Sequence, residues 1–302
     1  MSNSIKDPMK IKLLTKFNLD LTLRCGQTFR WSKQNDWWYG VVMEKVFKVR
    51  QINNGLIFQN VDINYLKDYF RLNEDMNKII SEISKDQHIK KAVATYEGLR
   101  ILNQKKWECL ISFICATYKN IPAIKQMLSR LSKKFGDKMT FNGRTFFSFP
   151  KARVLSETTI KELVKCGLGY RAKYVLETAK TISNGHFDLE NLHKKSYERA
   201  RAELLTLPGV GLKVADCVLL FSLNKLESFP VDVWIKRILV KYYSNHFDKG
   251  FIKNIMLKNQ ITKKEYNCLN SFGRNYFGKY AGYAQEYLYH FERNRHKFLS
   301  SN

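Results

Sequence analysis

The sequence of 302 residues lacks a long apolar run, which excludes a membrane-spanning helix. Its longest apolar runs, Cys109–Cys115 and Val214–Leu223, are far shorter than the ~20 residues that cross a bilayer. The N-terminal stretch MSNSIKDPMKIK also lacks the apolar core of a signal peptide, so we expect an intracellular protein that is not secreted.

The cysteines also lack the close spacing that metal sites require. The six cysteines, at positions 25, 109, 115, 166, 217 and 268, show no CxxC spacing and no four-cysteine run. We therefore expect neither a structural zinc site nor an iron–sulfur cluster. The pattern favours small core fillers in a reducing compartment.

Acidic residues are scarce, with 27 Asp and Glu against 52 Lys and Arg, a formal net charge of +25. An excess this large indicates a polyanionic partner. Nucleic acid is the commonest such partner, and an anionic membrane surface is the rival. Because no membrane segment supports the rival, we expect nucleic acid and no membrane, which places the protein in the prokaryotic cytoplasm or the eukaryotic nucleus.

Hydrophobic spacing divides the chain in two. Residues 12–60 alternate in LDLTLRCGQTFRW and WWYGVVMEKVFKVRQI, with turn signals at SKQND and INNG, and this pattern predicts strands. From Val61 apolar positions recur three or four apart, which predicts helices at 62–70, 74–84, 86–96, 107–117, 121–135, 157–165, 170–183, 196–205, 211–223, 232–243, 262–277 and 281–297. We predict an α+β fold, with a small N-terminal antiparallel sheet in a domain at 1–98 and a large helical body at 99–302.

The sharpest local motif is LPGVGLK at 207–213, between two predicted helices. A proline and two glycines form a tight hairpin whose amides approach a phosphate closely where a helix opens at Gly211. This predicts a helix-hairpin-helix over about 196–223. The same hairpin serves DNA-binding modules that have no enzymatic activity.

Two charged residues each stand at a predicted helix start. Lys213 lies near the positive helix end, where an ammonium is disfavoured and a neutral amine nucleophile is favoured. Asp232, in the loop 228–233, opens the next helix, where free amides stabilise a carboxylate. Individually, they could be a phosphate-contacting lysine and an ordinary N-cap. Together, they favour catalysis.

The sequence resembles the 8-oxoguanine DNA glycosylase/lyase family of the helix-hairpin-helix glycosylase superfamily. The matching motifs follow the family's order along the chain: CGQTFRW (25–31), DYF (68–70), ECLISFICA (108–116), LGYRAKYV (168–175), LPGVGLKVADC (207–217), PVDV (230–233) and YAGYAQ (280–285). The resemblance implies a TATA-binding-protein-like sheet before two helical subdomains, with double-stranded DNA bent in the cleft between them. It also implies that a flipped 8-oxoguanine is excised. Lys213 would attack C1′ and form an imine, β-elimination would nick the strand, and Asp232 would stabilise charge on the sugar.

The resemblance also assigns the remaining site residues. The Gly26 carbonyl would accept N7–H of the oxidised base, Gln285 would read its Watson–Crick edge, and Cys217 and Tyr289 would sandwich it. Tyr170 and Arg171 would fill the hole that the base leaves. The amides of Gly209, Gly211 and Val214 would grip phosphate, and the carbonyls of Leu205, Leu207 and Val210 would hold a structural monovalent or calcium ion. No cofactor is required for the chemistry.

The chain departs from the family pattern after ECLISFICA. Tyr118 and Ala123 replace an asparagine and an arginine that contact the opposite cytosine, and Asn120 alone remains of an asparagine run. Trp234 replaces a phosphate-contacting histidine. We therefore expect relaxed opposite-base discrimination, with Tyr118 as an aromatic plug.

Two other functions remain open, and a third expectation concerns assembly. The chain could be a glycosylase of the same superfamily for another damaged base, although Gly26, Gln285 and Tyr289 form a purine-reading set. It could also be a non-enzymatic damage sensor, which would need neither Lys213 nor Asp232. Nothing in the sequence indicates an obligate dimer, so we expect a monomer.

Overall fold

The N-terminal sheet is antiparallel throughout. The structure is a computed structural model that describes residues 7–42, 44–258 and 260–299. Its strands are β1 (Met9–Lys12), β2 (Ser32–Gln34), β3 (Trp37–Val42), β4 (Lys45–Ile52) and β5 (Gly55–Gln59), in the order β1-β5-β4-β3-β2. Turns at the predicted SKQND and INNG sites place Asn35 and Asn53 at positive φ, where asparagine is tolerated. The predicted sheet is confirmed.

One predicted strand is wrong, because Leu19–Arg24 forms helix α1. Its alternating leucines imitate a strand. However, Asn18 caps a helix by accepting from the Leu21 amide at 2.9 Å, and Leu19 and Leu23, one turn apart, are buried together. Residues 25–31 that follow are not a strand either. They cross beneath the sheet and place Gly26 near the helical body.

The predicted helices all appear, so the α+β fold class is confirmed. They are α2 (Ile63–Tyr69), α3 (Met76–Ile83), α4 (Gln87–Thr95), α5 (Lys106–Ala116), α6 (Ile121–Phe135), α8 (Ile160–Lys165), α9 (Arg171–Ser183), α10 (Tyr197–Leu204), α11 (Leu212–Ser222), α12 (Val233–Tyr242), α14 (Lys263–Phe277) and α15 (Ala281–Leu299). Side-chain caps explain many of their starts, for example Asp62, Asp86 and Ser196.

The structure adds elements that the sequence pattern did not predict. They are the hairpin of β6 (Lys138–Phe141) and β7 (Arg144–Phe147), and the helices α7 (Ala152–Ser156) and α13 (Lys249–Met256). The hairpin turns at Asn142–Gly143, both at positive φ, in the stretch between the predicted helices 121–135 and 157–165.

Two main hydrophobic cores hold the chain together. One packs the sheet on α1 and α2, and the other joins the helices from α3 to α15. Gln27 links the two parts, because its amide donates to the Thr22 and Arg100 carbonyls and accepts from the Leu102 amide, at 2.7–3.0 Å. Because α3 and α4 belong to the helical core, the boundary at 98/99 stays a prediction. Within the described ranges, no helix is both long and apolar enough to cross a membrane.

Candidate nucleic-acid active site

The hairpin between α10 and α11 packs tightly on α9. Gly209 has φ of 77°, and a Cβ there would lie 2.6 Å from the Cβ of Tyr174. Thr178 donates its hydroxyl to the Pro208 carbonyl at 2.9 Å, and the Val210 amide donates to the Leu207 carbonyl at 3.1 Å. The turn is therefore fixed by α9, and only glycine fits at position 209.

The start of α11 presents Lys213 toward a buried aromatic ring. Gly211 is its exposed N-cap, with open space at its Cα, and Val214 is buried in the first turn. Lys213 is half-buried, and its Nζ lies 5.0 Å from the Phe113 ring centroid of α5. The lysine is thus held at a pocket wall by a cation–π contact.

Asp232 is the N-cap of α12, as the sequence predicted. One carboxylate oxygen, Oδ1, accepts hydrogen bonds from the amides of Trp234 and Ile235, each at 2.9 Å. Burial raises the pKa of Asp232, while the two amides and the charges of Lys213 and Arg293 oppose that rise. The charge of Lys213 is therefore close enough to influence the half-buried Asp232 carboxyl.

A buried network supports the loop that carries Asp232, and sequence reasoning missed it. Asp216 is fully buried, accepting from the hydroxyls of Tyr197 at 2.5 Å and Tyr266 at 2.6 Å and pairing with Arg201 at 3.1 Å. The Tyr266 oxygen in turn accepts from the Val231 amide at 3.2 Å, next to Asp232. The one signal in the sequence was a charged residue inside the apolar run Val214–Leu223.

The same network holds the rest of the loop. Ser228 donates to the Asp216 carbonyl at 2.8 Å, and Asn270 of α14 donates to the Phe229 carbonyl at 2.9 Å. Loop 228–232 is therefore tied to both α11 and α14, so that lysine and aspartate are positioned by one set of contacts.

The predicted base pocket brings together Gly26 and Tyr289. A Cβ on Gly26, whose φ is 114°, would lie 3.5 Å from the Tyr289 hydroxyl. Gln285, one turn earlier on α15, is 4% exposed, and its Oε1 is buried with no hydrogen-bond partner. Cys217 follows Lys213 by one turn and is buried, which raises the pKa of its thiol to about 12. It is therefore a neutral thiol.

Another acidic residue of α15 faces this pocket and was not predicted. Glu286 is 4% exposed, and burial raises its pKa to about 7, with Asp232 adding to the rise and Cys25, Arg293 and Lys213 opposing it. Its position directly after YAGYAQ was the available signal.

The opposite-base segment lies between α5 and α6. Tyr118 is 75% exposed with φ of 54°, a left-handed conformation that asparagine adopts more readily than tyrosine. Arg171 is buried and donates its Nε to the Thr117 carbonyl at 3.1 Å, while Tyr170 is exposed beside it. Asn120 caps α6 by accepting from the Ala123 amide at 3.0 Å. Arg171 therefore holds the backbone next to Tyr118 in this structure, and its predicted role in the hole stays a prediction.

The predicted ion site consists of peptide oxygens. Leu205 ends α10, and Leu207 and Val210 lie in the turn that follows. Neutral carbonyl ligands suit a hard cation such as a monovalent ion or calcium. Elsewhere in the described ranges, no three His, Cys, Asp or Glu side chains could share a metal ion.

Comparisons with known proteins match the whole architecture. Residues 10–110 match the family model for the 8-oxoguanine DNA glycosylase N-terminal domain, and residues 111–258 match that for HhH-GPD superfamily base excision DNA repair proteins. The N-glycosylase/DNA lyase of Saccharomyces cerevisiae is 32% identical over 88% of this chain and 81% of its own length. N-glycosylase/DNA lyase OGG1 of Arabidopsis thaliana is 31% identical over 91% of this chain and 77% of its own.

Solved structures agree. The apo-form of Clostridium acetobutylicum 8-oxoguanine glycosylase/lyase superposes with a TM-score of 0.85 and 34% identity, covering 95% of this chain and 96% of that one. The same enzyme with double-stranded DNA containing cytosine opposite 8-oxoG gives 0.83 and 32%, covering 97% and 99%. With Lys213 on its helix-hairpin-helix and Asp232 at the start of α12, the chain belongs to the 8-oxoguanine DNA glycosylase/lyase family.

Proposed function

We propose that this chain excises 8-oxoguanine from duplex DNA and then nicks the strand at the abasic site. The observation that carries the proposal is the meeting of Lys213 and Asp232, each at a helix start, beside a pocket with Gly26, Gln285 and Tyr289 on its walls. Relatives named for this chemistry support it.

The residues divide the reaction between them. The Lys213 amine attacks C1′ as the bond to the base breaks, and the proton that the nitrogen loses passes to Asp232, whose raised pKa makes it a better base, and from there to the departing base. The resulting imine withdraws electrons from the sugar, and loss of a C2′ proton expels the 3′ phosphate. Asp232 also stabilises positive charge on the sugar through its carboxylate.

Borohydride trapping on an 8-oxoguanine duplex tests this proposal. A covalent adduct should form with the native chain and disappear in Lys213→Gln. Lys225→Gln, three residues beyond the end of the same helix, is the control and should keep the adduct. Adducts only with other lesions would identify a glycosylase for another damaged base. No adduct on any duplex would leave a non-enzymatic damage sensor.

We also propose relaxed selection of the opposite base. Tyr118 offers an exposed ring where the family offers an amide, and Ala123 offers no cation. A ring stacks on any base, whereas amide and guanidinium groups read cytosine by hydrogen bonds. Excision rates opposite C, A, G and T should be similar for the native chain, and Tyr118→Asn should shift them toward C. A steep native preference for C would contradict the proposal.

A hairpin ion is the remaining proposal for this site. A monovalent or calcium ion on the carbonyls of Leu205, Leu207 and Val210 would orient the amides of Gly209, Gly211 and Val214 toward phosphate. Replacing potassium and calcium by tetramethylammonium at constant ionic strength should weaken duplex binding. Unchanged binding would argue against the ion.

We further propose that the enzyme is a monomer. It would work where its DNA substrate lies, in the nucleoid of a prokaryote or the nucleus of a eukaryote.

A further inference from the structure

Glu286 is a buried acid that neither the fold nor the lysine chemistry explains. It is 4% exposed, and its Oε2 is buried without a hydrogen-bond partner. No Lys or Arg forms an ion pair with it among the described residues. A buried acceptor left unpaired is costly, and such groups concentrate at functional sites.

The surroundings of Glu286 place its carboxyl at the pocket. Cys25 lies directly before Gly26, and its thiol is one of the groups that influence the pKa of Glu286. Arg293, one to two turns further along α15, donates to the Cys25 carbonyl at 3.2 Å. Lys213 and Asp232 are close enough to shift its pKa. Because Tyr289 and Arg293, three and seven residues further along α15, both approach the Cys25–Gly26 backbone, Glu286 lies on the helix face that contacts it.

Gln285 and Glu286 form a matched pair of acceptors. They are adjacent on α15, equally buried, and each has one oxygen with no donor. The Watson–Crick edge of a guanine-type base carries two adjacent donors, N1–H and the 2-amino group. Two unpaired acceptors on consecutive residues of one helix supply the number of acceptors that these two donors need, and binding the base would satisfy both.

We propose that Glu286 is a specificity-determining residue that accepts the 2-amino group of the flipped base, next to Gln285 on N1–H. This rests on the proposed excision of oxidised guanine and deepens it. Gln285 and Glu286 together would select purines that carry a 2-amino group. The contact at Gly26 would distinguish oxidised guanine from guanine. A base without the amino group would leave the carboxyl unpaired in the pocket and be rejected.

The decisive comparison uses 8-oxoguanine and 8-oxohypoxanthine, which differ only in the 2-amino group. The native chain should excise 8-oxoguanine about ten- to a hundredfold faster. Glu286→Leu should reduce that preference about tenfold or more, and Glu286→Gln, which keeps an acceptor, should retain more of it. Glu82→Gln, a carboxyl of α3 that faces Lys279, is the control and should keep the native preference.

The readout separates recognition from folding and from chemistry. The ratio of the excision rates of the two substrates does not depend on the fraction of folded enzyme. Borohydride trapping at a preformed abasic site measures the fraction of the enzyme in which Lys213 is reactive. An unchanged ratio in Glu286→Leu would overturn the proposal. So would a loss of abasic-site trapping parallel to the loss of 8-oxoguanine excision, since it would assign the carboxyl to the chemistry. Failure of the native chain to trap on 8-oxoguanine would instead count against the proposed function.

Discussion

At the scale of single residues, Asp232 and Glu286 differ in how far hydrogen bonds offset the burial of their carboxyl groups. Asp232 is half-buried, and two backbone amides satisfy one of its oxygens. Glu286 is more deeply buried and has an oxygen with no donor. Hydrogen bonds from helix-start amides favour an ionised carboxyl, whereas burial without them favours the neutral form. The two acids should therefore respond differently to pH.

Glu286 should make the folded protein less stable as pH rises. Its pKa is about 7 in the folded chain against an ordinary 4.5, so between these values the folded state binds the extra proton. The free energy of unfolding then falls with rising pH, by up to about 3 kcal/mol from this group. Glu286→Gln removes that loss. The free energy of unfolding in urea should therefore be higher for Glu286→Gln than for the native chain, and this difference should grow from pH 5 to pH 8.

The charged groups around Glu286 are the same in both proteins, so the difference between them isolates this carboxyl. Those groups are Asp232, Lys213 and Arg293, with the thiols of Cys25 and Cys217 and the hydroxyl of Tyr289 also close. A stability difference independent of pH would show that Glu286 does not titrate in this range.

At the scale of elements, α11, α14 and the loop before α12 are coupled through Asp216. Both Tyr197 and Tyr266 donate to its carboxylate, but only Tyr266 also touches the loop, at the Val231 amide. The two tyrosines thus offer a matched comparison. Each loses one hydrogen bond to Asp216 when changed to phenylalanine, and only one change releases the backbone beside Asp232.

Tyr266→Phe should slow base excision about tenfold, whereas Tyr197→Phe should not, because small displacements of a catalytic group cost rate. Tyr197→Phe should lose about 1–2 kcal/mol of stability, roughly one buried hydrogen bond, and Tyr266→Phe somewhat more, because it also gives up the bond from the Val231 amide. Single-turnover excision and urea unfolding measure the two quantities. Equal rate losses in both variants would mean that Asp216 supports the fold alone.

The hairpin glycine offers a second test of an element. Gly209→Ala adds a Cβ against Tyr174 in a left-handed backbone, whereas Gly185→Ala, at a φ of 74°, adds one in open space. Both should lose about 1–2 kcal/mol from the backbone, and Gly209→Ala should lose more and bind duplex DNA more weakly. Equal losses of stability with unchanged DNA binding in Gly209→Ala would contradict the packing of the turn on α9.

Sequence patterns predicted most of these elements because spacing and capping are local. They failed at Leu19–Arg24, where alternation imitated a strand, and they did not predict the Asn142–Gly143 hairpin. The Asp216 network joins residues from 197 to 270, so no local pattern reveals it. Lys213, Asp232, Gly26 and Tyr289 were predicted through motifs. Glu286 was missed because burial is a property of the assembled fold.

At the scale of the whole molecule, charge dominates the encounter with DNA. The net charge is +25, and Gly211 of the hairpin is exposed with open space beside it. Cations that neutralise phosphates release counterions, so affinity depends steeply on salt. The dissociation constant for undamaged duplex should rise about tenfold or more between 50 and 200 mM potassium chloride. A flat dependence in a filter-binding titration would mean that uncharged contacts carry the affinity.

The burial of the cysteines has a consequence for the setting in which such an enzyme works. Five of the six thiols are buried, and burial raises the pKa of both Cys115 and Cys217 to about 12. Peroxide reacts with thiolates, so thiols held protonated and out of solvent react slowly. The oxidants that damage guanine would therefore leave Cys217 intact beside the pocket. A repair enzyme built this way stays active during the stress that creates its substrate.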